Sequence, residues 1–190
     1  MCGRYQLTPD DGAEIAKIVS QVQDRIRTGE IFPTYAVPVL TEFANELAPR
    51  PMIWGYPRFG GKPGSIINAR SETAFDRPLF RKSLVGRRCV IPTTGFFEWG
   101  PGDSESKKKI KYRFNLAGNR ALYLAGLWND FAGEERCVIL TTAANESMDG
   151  IHERMPVVLE MDALEQWISN TDSALDILQT VPPELVYEIA

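Results

Sequence analysis

Apolar residues Ile15, Ile18, Val19, Val22 and Ile26 follow Thr8-Pro9-Asp10-Asp11 at helical spacing. The pattern predicts an amphipathic helix over roughly 9–27, with Thr8 as its cap and Pro9 at the first helical position. From about residue 36 to 142 the period changes to short strand-like runs between turn residues: 36–41, 51–54, 65–68, 88–92, 95–99, 111–116, 121–126 and 136–142. A short helix over 78–85 interrupts them. Asp162-Ala163-Leu164-Glu165 has the spacing of a capping box and opens a second helix that carries Trp167 and Ile168. A further helix over 172–179 precedes a last strand at 185–189. Segments 100–109 and 129–135 are polar turns too short to link domains. There is no internal repeat. Strands without regular alternation with helices give an α+β class, a mainly antiparallel sheet core with a few peripheral helices. Periodicity leaves open whether that sheet closes into a barrel.

Length and composition narrow the setting. At 190 residues with 44% hydrophobic and 24% charged positions, the chain is expected to form one domain with a core of its own. No apolar run approaches a membrane span, and the first residues, Met-Cys-Gly-Arg-Tyr-Gln-Leu-Thr, lack the pattern of a signal peptide, so a cytoplasmic protein without membrane contact is expected. Three cysteines, Cys2, Cys89 and Cys137, show no C-x-x-C spacing and argue against a disulfide framework. His152 is the single histidine; with no Cys/His cluster, neither a metal nor a cofactor is expected. A net charge of −4 removes the simplest argument for a nucleic-acid binder, and any DNA contact must come from a local patch.

Several residues could carry chemistry. Cys2 follows the initiator methionine, and a small second residue permits removal of Met1. An N-terminal cysteine offers an α-amine of pKa about 7.7–8.0 and a thiol of about 8.5 on adjacent carbons. With an aldehyde the amine forms an imine and the thiol closes on the same carbon to give a thiazolidine. An early buried residue is the competing reading of Cys2. Asn68-Ala69-Arg70-Ser71-Glu72 follows a strand-like run, where a polar cluster often faces a site; the structural alternative is a capped turn with Glu72 pairing Arg70. Gly95-Phe96-Phe97-Glu98-Trp99 sets one carboxylate among aromatics, where desolvation would suit Glu98 to proton transfer, unless it faces solvent on an alternating strand. His152 in Ile151-His152-Glu153-Arg154-Met155-Pro156 is a candidate acid or base beside an arginine able to hold a phosphate, although a lone histidine is more often structural. Lys107 to Lys111 reads as a solvated hairpin end.

In order along the chain come Met-Cys-Gly-Arg, Trp54-Gly55-Tyr56-Pro57, Asn68-Ala69-Arg70-Ser71-Glu72-Thr73, Arg87-Arg88-Cys89-Val90-Ile91-Pro92, Gly95-Phe96-Phe97-Glu98-Trp99, Leu124-Ala125-Gly126-Leu127-Trp128, Ile139-Leu140-Thr141-Thr142 and His152-Glu153-Arg154-Met155-Pro156. With this series the chain resembles the SOS-response-associated peptidase (SRAP) family over nearly its whole length. Phe97 stands where tyrosine is common and Glu153 where aspartate is usual; neither departure removes a catalytic group.

The resemblance implies covalent capture of abasic sites in single-stranded DNA through Cys2, shielding the lesion in a DNA damage response. It also implies the SRAP fold and a monomer without cofactor. By that similarity Cys2 is the nucleophile, Asn68 positions the sugar and the Cys2 end, Glu98 moves protons at the amine, and His152 assists ring opening and imine formation. Arg4, Arg70, Arg77, Thr141 and Arg154 are expected on the DNA backbone, with Pro33 and Trp54 as apolar surfaces for bases. Arg81 and Arg88 are further candidates. Two enzyme alternatives use the same Cys2. In an N-terminal-nucleophile amidohydrolase (glutaminase) the thiol attacks an amide, although such domains usually carry an Asn-Gly pair that this sequence lacks. A thiol peptidase would use Cys2, Glu98 and His152. A plain single-strand DNA-binding module, in which Cys2 is incidental, is the non-enzyme alternative.

Overall fold

A computed structural model describes residues 2–44, 46–102, 108–118 and 121–190. Met1 and residues 103–107 of the polar turn, Lys107 included, lie outside the described residues. The strands, in chain order, are β1 (Tyr5–Leu7), β2 (Gly29–Ile31), β3 (Ala36–Phe43), β4 (Glu46–Trp54), β5 (Tyr56–Pro57), β6 (Ser65–Ile66), β7 (Asn68–Arg70), β8 (Arg88–Thr93), β9 (Gly95–Gly100), β10 (Ile110–Asn115), β11 (Leu122–Phe131), β12 (Glu134–Ala143), β13 (Arg154–Pro156), β14 (Val158–Leu159) and β15 (Val186–Ile189). The α-helices are α1 (Ala13–Ser20), α2 (Ser71–Ala74), α3 (Pro78–Gly86), α4 (Leu164–Ser169) and α5 (Thr171–Ile177).

Strands β12, β4, β3, β8 and β11 pair in that order, and β11 pairs back to β12, so the sheet closes on itself. Closure removes the open edges that would otherwise invite association. All of these pairings are antiparallel except β12 with β4, a short parallel contact of Arg136 with Ile53 and Cys137 with Trp54. Side chains alternate across the wall. Val37, Val39, Cys89, Ile91, Leu122, Leu124, Cys137 and Ile139 belong to one buried cluster. Their neighbours Leu40, Val90, Tyr123, Ala125, Val138 and Leu140 belong to another, which contains Leu84 of α3 and Leu164, Trp167 and Ile168 of α4. Strands covered on both faces read as continuous apolar runs, which is why 88–92 and 136–142 are legible as strands. A second sheet, in the order β15, β10, β9, β1 and β2, is antiparallel throughout and carries Glu98.

The structure departs from the periodicity in two helices. The stretch expected as one helix over 9–27 is a 3-10 turn at Pro9–Asp11, the helix α1 and a second 3-10 turn at Gln23–Arg25. Gly12, extended at φ −177° and ψ 142°, breaks the first from the second. Thr8 makes no cap bond; its hydroxyl instead accepts from the Gln6 side chain at 2.7 Å. Asp162 lies inside a 3-10 turn, Met161–Ala163, so the capping box does not form.

Arg88 is also corrected. It is 4% exposed and donates to the carbonyls of Leu84 and Val85 at the end of α3 and to those of Trp167 and Ile168 in α4. Helix ends leave carbonyls without intrahelical partners, and one guanidinium fork here serves four such carbonyls at the ends of two helices. A side chain so employed inside the fold is not available to a phosphate.

Candidate active site around Cys2

Strand β7 runs parallel to β12, with Asn68 opposite Ile139 and Arg70 opposite Thr141. This brings the Asn68 side chain to the segment that leads into β1: its Nδ2 donates to the Cys2 carbonyl at 3.0 Å. The Oδ1 of Asn68 is buried and has no hydrogen-bond partner among the described residues, an acceptor left for a donor that enters the site. Cys2 is fully buried, and its Sγ lies 3.7 Å from the Arg4 carbonyl. Burial pushes the Cys2 thiol well above its ordinary value, and the Glu98 carboxylate pushes it further in the same direction.

The alternation of β9 puts Glu98 on the same face as the fully buried Phe96. Glu98 is 4% exposed. On the opposite face of the strand, Phe97 and Trp99 underlie the Lys111 ammonium, at 3.9 and 5.9 Å from their ring centroids. Glu98 is therefore not the solvent-facing carboxylate that an alternating strand could have made it. Its Oε2 lies 4.0 Å from His152 Nε2. The Arg154 amide donates to His152 Nδ1 at 2.9 Å, which assigns the proton of a neutral ring to Nε2, the nitrogen facing Glu98. The Arg154 carbonyl is also within 3.1 Å of Nδ1, ready to accept when the ring is doubly protonated. Cys2, Asn68, Glu98 and His152, drawn from four separate segments, are thus linked into one cluster, Asn68 to Cys2 and Glu98 to His152, with the Glu98 charge acting on the Cys2 thiol.

The residues expected on DNA fall into two groups. Arg70 and Arg77 are exposed and, with Lys82, line a cleft of about 820 Å³ that opens beside Asn68 and includes Phe59, Phe80 and Phe131. Pro33 is half-buried beside the exposed Tyr35. Arg4 stacks over Phe32 at 4.0 Å and pairs with Glu30 at 3.1 Å. Arg154 donates to Glu72 Oε2 at 2.9 Å and to the Thr141 carbonyl at 2.7 Å. Glu72 thus pairs with Arg154 rather than with Arg70. Trp54 and Thr141 lie inside. Trp54 is 1% exposed, packs against Tyr5 at 5.2 Å and donates to the Ile67 carbonyl at 3.0 Å, so it offers no face to a base. Thr141 is fully buried and supports Arg154 from behind.

Sequence reasoning missed Glu30, which accepts from Lys111 at 2.7 Å and from Arg4 at 3.1 Å through the same oxygen. No local spacing links residues so far apart in the chain. Lys111 itself is held in β10 over Phe97 and is not the solvated hairpin end that its lysine run suggested. Among the described residues no group of three or more His, Cys, Asp or Glu side chains could hold a metal ion. No helix among them is long and apolar enough to cross a membrane.

The sequence profile of the SOS response associated peptidase (SRAP) family matches residues 1–188. The chain belongs to this family. It is 34% identical over 199 residues to abasic site processing protein YoqW of Bacillus subtilis, covering 95% of this chain and 86% of that one. It is 28% identical over 180 residues to abasic site processing protein YedK of Escherichia coli, covering 88% and 79%. Abasic site processing protein HMCES of Xenopus tropicalis is 32% identical over a shorter stretch of 123 residues, 53% of this chain and 37% of that one. A crystal structure of a Bordetella bronchiseptica protein superposes with a TM-score of 0.77 at 24% identity, covering 100% of this chain and 99% of that one. One from Bacteroides thetaiotaomicron gives 0.74 at 20%, covering 99% and 91%. The same fold therefore recurs where most side chains differ.

Proposed function

We propose that this SRAP protein captures abasic sites in single-stranded DNA by forming a thiazolidine through Cys2 once Met1 has been removed, acting as a monomer in the cytoplasm. The observation that carries the reading is the clustering of Glu98 with His152 at 4.0 Å, its charge acting on the Cys2 thiol, and the Asn68 bond to the Cys2 carbonyl. The names of the relatives, abasic site processing proteins, support the choice of substrate.

The chemistry follows from the groups present. An abasic deoxyribose equilibrates with its ring-opened aldehyde. The Cys2 amine adds to that carbon and water leaves, forming the C=N bond of an imine. The thiol then adds to the same carbon; the S–C bond forms, the C=N bond becomes single, and the thiol proton ends on nitrogen. A thiol held protonated by burial and by Glu98 favours this order, amine first and sulfur second. Glu98 takes and returns the amine proton; as the ring opens, the doubly protonated His152 gives its Nε2 proton to the ring oxygen, while the C1 hydroxyl proton passes to the Glu98 carboxylate and from there back to the imidazole. Asn68 fixes the Cys2 backbone, so the reaction gains from positioning as well as from proton transfer.

The test is a denaturing gel of protein with a mature N-terminus verified by mass spectrometry, after incubation with single-stranded DNA bearing one abasic site. Intact DNA and a Cys2→Ala variant are the controls. A retarded band that requires both the lesion and Cys2 is expected. No such band would overturn the proposal, and ammonia released from glutamine without DNA would move the assignment to an amidohydrolase.

A further inference from the structure

Two arginines lie two residues along the chain from Cys2 and from His152, and each already holds a carboxylate. Arg154, two residues beyond His152, grips Glu72 with both terminal nitrogens, Nη1 to Oε1 at 2.5 Å and Nη2 to Oε2 at 2.9 Å. Arg4, two residues beyond Cys2, donates to Glu30 at 3.1 Å, and Lys111 donates to the same oxygen at 2.7 Å. A bidentate carboxylate and a phosphate present oxygens to a guanidinium fork in the same way. Neither arginine depends on its glutamate for its place. The Arg154 guanidinium also bonds the Thr141 carbonyl at 2.7 Å, and Arg4 lies over the rings of Phe32 and Trp99 at 4.0 and 5.1 Å. Glu72 is the looser half of its pair, 46% exposed against 12% for Arg154. Glu30, in the middle of a three-residue strand, and Arg4 are exposed to about the same degree, 33% and 31%.

We infer that Glu30 and Glu72 are displaceable counter-ions, standing where DNA phosphates bind and swinging into solvent when a strand enters. The inference rests on the proposed DNA function of this site and adds two residues that set its affinity. It also accounts for how a chain of net charge −4 keeps cationic side chains preformed for DNA without leaving them bare. Their pairing keeps other anions off the site until a polyanion offers several phosphates at once. Exchange of one carboxylate for one phosphate leaves the arginine where it was, so little ordering cost falls on binding. Both carboxyls sit below the usual range, Glu72 chiefly through its bond from Arg154 and Glu30 chiefly through its bond from Lys111.

The experiment measures equilibrium binding of an intact single-stranded oligonucleotide, which has no aldehyde to capture, across a salt series. The proteins are the unsubstituted chain, Glu72→Gln, Glu30→Gln, Arg154→Ala and the Glu72→Gln/Arg154→Ala pair, each checked for folding by thermal unfolding. Glutamine keeps the shape of each side chain and removes its charge. Each glutamine variant is expected to bind about two- to five-fold more tightly at low salt. The slope of log affinity against log salt should steepen by about 0.7 for each additional phosphate neutralised. Glu30→Gln should show the larger change because it releases Lys111 as well as Arg4. In the Arg154→Ala background the Glu72→Gln increase should vanish. Equal or weaker binding by both folded glutamine variants would overturn the inference, as would a Glu72→Gln increase that survives loss of Arg154. Failure of the unsubstituted chain to bind intact or abasic strands would instead overturn the proposed function itself.

Discussion

The side-chain amide of Asn68 holds the carbonyl of Cys2 at 3.0 Å, joining residues that lie 66 positions apart. The bond is possible because β7 is stitched to β12 in parallel, so that Asn68 is presented by sheet geometry and not by a mobile loop. A site built on a strand keeps its angles when a substrate arrives. Asn68→Ala should therefore lower the rate of covalent capture by about 10²-fold, the scale of lost positioning. The fold should lose only about 1 kcal/mol, the scale of one hydrogen bond. Single-turnover crosslinking beside denaturant unfolding checks both, and capture at the unsubstituted rate would remove Asn68 from the mechanism.

Glu98 has opposite effects on two properties of Cys2, and a single substitution separates them. Its carboxylate raises the thiol, which disfavours thiolate, while the proposed chemistry needs the same carboxylate to move protons at the amine. The sign is definite: removing the negative charge lets the thiol ionise at lower pH. Glu98→Gln should shift the pH midpoint of Cys2 alkylation toward acid and slow capture of an abasic strand. Labelling followed by mass spectrometry on the alkaline side of the ordinary thiol range, where burial has moved the Cys2 midpoint, reads the first, and the gel assay the second. A variant in which both rates fall together, with no shift of the midpoint, would show that Glu98 acts on structure alone.

What can be read from the sequence divides along physical lines. The strands at 88–92 and 136–142 are legible because burial on both faces demands apolar residues whatever the partner. Tyr5–Leu7 and Gly29–Ile31 are not, since three residues carry too little periodicity to register. The helix from 9 is overdrawn because Ile15, Ile18 and Val22 keep their spacing through turns that hydrogen bonding divides. Cys2, Asn68, Glu98 and His152 are legible as a set through the ordered motifs of a family; their contacts are long-range and leave no local trace. Arg88 and Trp54 mislead for a common reason. Residue type suggests surface chemistry, and only the elements packed over them reveal that one caps two helices and the other fills the interior.

Gly126 faces the interior of the closed sheet, opposite Cys89 on one neighbouring strand and Ile139 on the other. A Cβ there would lie 2.3 Å from Ile91 Cδ1, 3.0 Å from Cys89 Sγ and 3.0 Å from the Val138 carbonyl. The isoleucine tip could turn away, but the backbone oxygen belongs to the wall itself. Gly126→Ala should cost about 1–3 kcal/mol, the usual penalty for overpacking a filled core. A lower denaturation midpoint with an unchanged slope would show it. Ile91→Val in the same chain should recover part of the loss, and no recovery would place the conflict at the Val138 carbonyl instead.

Arg88 joins the ends of two helices that approach the barrel from different parts of the chain. Its donors reach the Leu84 carbonyl at 2.8 Å, Val85 at 2.7 Å, Ile168 at 2.8 Å and the Thr171 hydroxyl at 3.1 Å, with Trp167 alongside. Burial lowers its affinity for the proton, yet a guanidinium stays charged through the ordinary pH range, so these carbonyls always have a cation to meet. Arg88→Ala leaves them facing a void where water must be recruited, and should destabilise the protein by about 3–5 kcal/mol. Arg88→Lys should lose most of that as well, because one ammonium cannot span both helix ends as a planar fork does. Urea unfolding of the two variants decides the matter. Stability near that of the unsubstituted chain in Arg88→Lys would mean that charge alone, and not the fork, holds α3 and α4 to the sheet.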